Sequence, residues 1–134
     1  MKYRIAICDD MEEDVKYISS MVNMWAEKES ITVAIETFPS AESFLFRYAE
    51  QKAFDILLLD IEMPSMSGIE LAKRIRKEND AVQIIFITGY TDYIAEGYEV
   101  FALHYLVKPL SETKLFEVLN RAVLKMRKNE KALF

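Results

Sequence analysis

Five short, strongly apolar runs punctuate the chain: YRIAIC (3–8), TVAIETF (32–38), DILLLD (55–60), QIIFIT (83–88) and HYLVK (104–108). The runs at 55–60 and 83–88 are almost continuously apolar, the pattern of parallel strands covered on both faces. The run at 32–38 alternates instead, with Val33, Ile35 and Thr37 set against Ala34 and Glu36, as an edge strand would.

Between the runs the apolar period changes to three and four. Residues 11–29 carry Val15, Ile18, Met21, Val22 and Trp25 on one helical stripe. Ser40 is placed to cap a helix over 41–51. Ser67, with Glu70 three residues later, has the form of a capping box opening a helix over 68–77. A shorter, weaker helix is expected over 91–100. Ser111, after Pro109, can cap a long last helix with Leu115, Val118, Leu119, Ala122 and Met126 on one face. Strand alternating with helix five times predicts an α/β fold, a parallel sheet with helices on both sides, because right-handed crossovers permit little else.

Composition narrows the partners. The 134 residues fit one domain, and 17 basic against 22 acidic residues leave a net charge of −5. That balance argues against the domain itself being a nucleic-acid clamp, which would normally be basic. No apolar run approaches the ~20 residues of a membrane span. The N-terminus, MKYRIAICDD, turns acidic too early for a signal peptide. The one cysteine, Cys8, cannot pair within the chain, so a reducing cytoplasm is its natural setting and a buried apolar role is expected of it.

The candidate chemistry lies at the carboxyl ends of the strands, where ligands bind in open α/β sheets. The first strand runs into Asp9 and Asp10, the third into Asp60, the fourth into Thr88, and the fifth into Lys108 and Pro109. Singly, an Asp after a strand is an ordinary turn former or cap. Jointly they put three carboxylates, a hydroxyl and an ammonium on one rim. Asp9, Asp10, Asp60 and Lys108 leave a charge of −2, and like charges ~4 Å apart repel by about 4 kcal/mol at an effective dielectric of ~20. Such a site wants a divalent cation, and all-oxygen ligands suit Mg2+. Carboxylates, Mg2+, lysine and hydroxyl together suit a phosphoryl group. Neither GxxxxGK[ST] nor GxGxxG occurs, and the chain has three glycines, so a nucleotide lacks its usual cradle. A carboxylate can instead take the phosphoryl group itself, and Asp60, at the end of a central strand, is the candidate nucleophile.

Over residues 3 to 127 the chain resembles the receiver domain of two-component response regulators. The resemblance is carried by "CDD", "LLLDIEMPSMSGIELA", "IIFITG" and "YLVKP". It implies a doubly wound, flavodoxin-like five-stranded parallel sheet of order 2-1-3-4-5. Asp60 would be the phosphoacceptor, with Asp9 and Asp10 holding Mg2+ and the backbone carbonyl of Glu62 completing the protein ligands. Lys108 would pair with the phosphoryl oxygens and Thr88 would hydrogen-bond the phosphoryl group. Tyr105 would be the aromatic that changes rotamer. Pro109 would hold the turn after Lys108 through a peptide bond that is usually cis in the family.

The stretches "DIEMPSMSGIELA" and "TGYTDYIAEGYEVFALHYLVKPL" look most like the LytTR-type regulators, in which a receiver precedes a β-rich DNA-binding domain. The resemblance thus implies a sensor histidine kinase as partner, a phosphorylation-dependent homodimer, and DNA contact only through a domain outside this chain. Residues 1–127 would form the receiver, and 128–134 the start of a linker or a C-terminal tail. A stand-alone receiver is the alternative. A Mg2+-dependent phosphatase with an aspartyl nucleophile is disfavoured, because such enzymes want Asp two residues after the nucleophile and Glu62 stands there. A flavodoxin-like binder of an anionic cofactor is opposed by three acids at its rim. His104, at the start of the fifth run, is expected to be a surface or packing residue and no phosphorelay histidine.

Overall fold

The computed structural model describes residues 2–132, with side chains through residue 127. Five strands and five helices alternate: β1 (Lys2–Cys8), α1 (Glu12–Lys28), β2 (Thr32–Phe38), α2 (Ala41–Glu50), β3 (Ile56–Leu59), α3 (Gly68–Arg76), β4 (Gln83–Thr88), α4 (Ile94–Glu99), β5 (His104–Val107) and α5 (Glu112–Ala132). All the pairings are parallel and the order is β2-β1-β3-β4-β5, as expected. The alternating run is an edge strand, and the two continuously apolar runs lie inside the sheet, where neither face meets water.

Each interior strand divides its side chains between two cores. Ile5, Ile7, Ile56, Leu58, Ile85 and Ile87 point to the layer of α1 and α5, where they meet Ile18, Trp25, Leu115 and Leu119. Ala6, Cys8, Leu57, Leu59, Ile84 and Phe86 point to the opposite layer, against Phe44 and Tyr48 of α2 and Leu71 and Ile75 of α3. Across the first layer the fully buried Trp25 indole donates to Asn120 Oδ1 at 2.8 Å, tying α1 to α5. Cys8 is buried, and burial, reinforced by the Asp9 charge, pushes its thiol far up. It is a packing residue, not a nucleophile.

The caps follow the sequence with one difference. Ser40 Oγ accepts from the Ser43 amide, and the Ser43 hydroxyl closes a reciprocal box. Ser111 Oγ accepts from the Lys114 amide at 3.3 Å. Ser67 Oγ accepts from the Glu70 amide at 3.2 Å, but Glu70 is exposed and only the serine half of the expected box forms. The fourth helix begins at Ile94, not near residue 91, because Tyr93 serves as its N-cap and supplies no side-chain cap.

Helix α5 continues to Ala132, past residue 127, where the linker or tail was expected to begin. The last two residues of that segment, 133 and 134, lie outside the described residues.

Arg76, at the end of α3, donates to four backbone carbonyls: Val100 at 2.6 Å, Val82 at 2.7 Å, and Asn79 and Phe101 each at 3.2 Å. The guanidinium thus fastens the segment between α4 and β5 to the rest of the sheet, as its fork of donors allows.

Candidate functional site

The acids converge at the carboxyl edge because two adjacent strands, β1 and β3, deliver them there in register. Cys8 lies opposite Leu59 and Leu59 opposite Phe86, so Asp9 and Asp60 follow paired residues on adjacent strands. The Asp60 amide donates to the Cys8 carbonyl at 2.9 Å and carries the pairing one step past β3. Asp9, Asp10 and Asp60 each offer a ligand oxygen, and these atoms lie within 4.8 Å of one another. Asp9 and Asp60 are buried, whereas Asp10 is exposed. A cleft of about 320 Å³ beside them is lined by Asp9, Asp10, Glu12, Thr37 and Pro39.

Lys108 reaches this cluster from β5. Its amide donates to the Thr88 carbonyl at 2.8 Å, which fixes the start of the side chain beside β4. The ammonium lies 2.8 Å from Asp9 Oδ2 and 3.5 Å from Asp60 Oδ2. Its shortest contact is 2.7 Å, to Asp14 of α1. Asp14 had no place among the residues expected from the sequence. Its carboxylate brings the local set to four acids against one ammonium, a charge of −3 where −2 was expected.

The electrostatics follow from that crowding. Burial, then the Asp9 charge, raises the Asp60 carboxyl above its ordinary value. Lys108, the Thr88 hydroxyl and the Ile61 amide, which donates to Asp60 Oδ1 at 2.8 Å, act in the other direction. Burial alone would lower the Lys108 ammonium, but its hydrogen bonds to Asp14 and Asp9 and the nearby Asp60 charge hold it well above its usual range. The acids therefore repel one another more than a single lysine can balance. Oxygen donors this close, with one acid open to solvent, fit a hard divalent cation.

Thr88 is fully buried and also accepts from the Tyr90 amide at 3.4 Å. The Tyr105 hydroxyl donates to the Tyr90 carbonyl, so the aromatic on β5 is joined to the segment just after Thr88. Its ring stands 6.0 Å from Phe86, tilted by 49°. The Glu62 side chain is exposed and accepts from the Tyr93 hydroxyl at 3.1 Å, bridging the loops after β3 and β4. The Lys108–Pro109 peptide bond is cis. His104 begins β5, at the end opposite Lys108 and away from the acids.

A third feature of the site is its floor. Gly68, the first residue of α3, donates to the Ile61 carbonyl at 2.9 Å. A Cβ on Gly68 would lie 2.0 Å from the Asp60 carbonyl oxygen. The loop carrying Asp60 is closed against the helix so tightly that only glycine fits.

A family model described as the response regulator receiver domain matches residues 5–120. The chain belongs to this family. The receiver is 32% identical over 126 residues to the sensory transduction protein LytT of Oceanobacillus iheyensis, covering 90% of the chain and 48% of LytT. It is also similar to the response regulatory domain of mrkE from Klebsiella pneumoniae, with a TM-score of 0.83 at 23% identity, covering 93% and 98% of the two chains. The BeF3-activated receiver domain of DrrB, a Thermotoga maritima response regulator, gives a TM-score of 0.74 at 26% identity, covering 92% and 98%. The chain spans about half the length of LytT-type relatives. None of its described helices is long and apolar enough to cross a membrane.

Proposed function

We propose that this receiver accepts a phosphoryl group on Asp60 from a sensor histidine kinase and converts it into a change of surface. The observation that carries the reading is the convergence of Asp9, Asp10 and Asp60, with Lys108 reaching in from the neighbouring edge. An Asp60 oxygen attacks phosphorus, the phosphorus–nitrogen bond to the donor histidine breaks, and the imidazole leaves. Asp9, Asp10, Asp60 and the Glu62 backbone carbonyl would hold Mg2+. When bound, the ion supplies positive charge against the phosphoryl oxygens. Lys108 pairs with one phosphoryl oxygen, and the Thr88 hydroxyl donates to another. The chain assists its own phosphorylation and dephosphorylation and turns over no separate substrate.

The output surface would be built from α4, β5 and α5. Ile94, Tyr98 and Val107 on these elements, with Tyr90 and Phe101 on the connecting segments, are all exposed, an apolar surface suited to a second copy of the chain. Thr88 moving toward the phosphoryl group, with Tyr105 turning behind it, is the route from site to surface. The hydrogen bond that ties Tyr105 to the segment after Thr88 supports that route. The likeness to the LytT sensory transduction proteins supports a signalling role. The cytoplasmic, transcriptional output proposed for it would be exerted through a LytTR-type DNA-binding domain joined after α5.

The test is labelling with a small phosphoryl donor such as acetyl phosphate. The parent should be labelled with Mg2+ present and not after chelation, and Asp60→Asn should take up no label. Equal labelling of Asp60→Asn and parent would overturn the assignment.

A further inference from the structure

The Lys108 ammonium sits in the wrong place for its proposed task. It has three N–H groups, and two are committed to Asp14 at 2.7 Å and Asp9 at 2.8 Å. Asp60, the group it should serve, is 3.5 Å away, at the edge of hydrogen-bonding range. The two tightly held carboxylates differ in burial. Asp9 keeps 1% of its side-chain surface exposed and Asp14 keeps 41%. If Lys108 left Asp9, a buried carboxylate would lose its cation. If it left Asp14, water would replace it.

We propose that Asp14 is a positioning residue that parks Lys108 away from Asp60 and competes with the phosphoryl group for it. The inference rests on the phosphoacceptor reading above. A phosphoryl group replaces the −1 of the Asp60 carboxylate with roughly −1.5 to −2 of charge and brings new acceptor oxygens. Lys108 then pivots on its bond to Asp9, leaving Asp14 for the phosphoryl oxygen. Asp14 thereby sets how strongly a phosphoryl group must pull before the lysine crosses. No bond to phosphorus is made or broken in this step; one ion pair replaces another.

The pairing is absent from the local sequence pattern. Asp14 lies in the first turn of α1, where an acidic residue is already favoured by the exposed backbone amides, as Glu12 and Glu13 are. What sets Asp14 apart is the aim of its carboxylate, across the rim toward a lysine 94 positions further along the chain.

The experiment titrates the full chain with beryllofluoride, a phosphoryl mimic, at saturating Mg2+, and reads bound fluoride by 19F NMR. Asp14→Asn should bind about two- to fivefold tighter than the parent, the size of one partly exposed ion pair. Asp14→Glu keeps the charge and should bind like the parent. Were Asp14 merely structural, the isosteric asparagine would be the milder change and glutamate the more damaging one. Glu13→Gln removes the same charge one residue away and should leave the affinity unaltered, which separates competition for Lys108 from the general field. In the protein without beryllofluoride, the 15N-detected Lys108 ammonium signal should shift in Asp14→Asn but not in Glu13→Gln. Equal or weaker binding by Asp14→Asn, or equal tightening by Glu13→Gln, would overturn the proposal while leaving the phosphoacceptor reading intact. A parent that binds no beryllofluoride would remove the phosphoacceptor reading itself, and this inference with it.

Discussion

Replacing Gly68 by alanine asks how rigidly the chain holds Asp60. The added methyl would sit 2.0 Å from the Asp60 carbonyl oxygen, 2.9 Å from its carbonyl carbon and 3.1 Å from Ile61 Cα. Carbon and oxygen need more than ~3 Å, so something must move by about 1 Å, and every atom in the way is backbone. That backbone is held by the Asp60 amide on Cys8 and the Gly68 amide on Ile61, both 2.9 Å bonds. Overpacking of this kind costs about 1–3 kcal/mol, and the severity of the overlap puts this case at the upper end. Alanine returns at most ~1 kcal/mol in helix propensity, and less at a first helical position.

The net loss is about 2 kcal/mol. Unfolding entropy of about 2.1 cal/mol/K per residue over 134 residues converts this to a fall in Tm of about 7 °C. A melt followed by circular dichroism reads it directly. Beryllofluoride binding should weaken as well, since the carboxylate moves with its backbone. The other two glycines serve as controls. A Cβ on Gly89 meets nothing within 4 Å, and one on Gly97 meets Tyr105 and Phe86 at ordinary distances of 3.7 and 3.8 Å. Gly89→Ala should be close to neutral, and Gly97→Ala should gain up to ~1 kcal/mol in α4. If Gly68→Ala melts no lower than Gly89→Ala and binds beryllofluoride like the parent, the argument from a closed loop is wrong.

Asp60→Asn should raise the stability of the metal-free protein at neutral pH. Burial and Asp9 raise the Asp60 carboxyl in the fold, so its ionisation costs stability above that raised value and nothing below the unfolded value of about 3.9. The advantage of the variant over the parent should therefore shrink as pH falls toward ~4, and thermal melts across that range check the sign. Thr88→Ala should still accept phosphate on Asp60 but fail to dimerise on phosphorylation; sedimentation of the beryllofluoride-treated variant decides, and dimerisation equal to the parent would exclude Thr88 from the relay. Asn120→Ala should cost about 1 kcal/mol by leaving the buried Trp25 indole without its acceptor, lowering Tm by about 3–4 °C. Labelling at Asp60 should be unaffected.

Much of the architecture was legible along the chain because its determinants are local or nearly so. A strand covered on both faces must be apolar at every position, and the runs at 55–60 and 83–88 are. A strand must end before a helix begins, and the residues at those junctions fall on one edge of a parallel sheet by topology alone. That is why Asp9, Asp10, Asp60, Thr88 and Lys108 could be placed on one rim from their positions in the sequence.

The tertiary structure alone decided which side chains meet across that rim. Asp14 reads as one more acid in an acidic first helical turn, and only the tertiary packing brings it to Lys108. Tyr93 and Glu62 stand on different loops, and nothing periodic relates them. Gly68 reads as a glycine near a helix start, yet its necessity comes from a carbonyl eight residues earlier pressed against it. Arg76 reads as one of the basic residues in the last turn of α3, while the structure sets it against four carbonyls. Period and topology place backbones and faces. The meeting of two charged side chains from distant segments depends on distances of a few ångströms, which are set only when the whole core has packed.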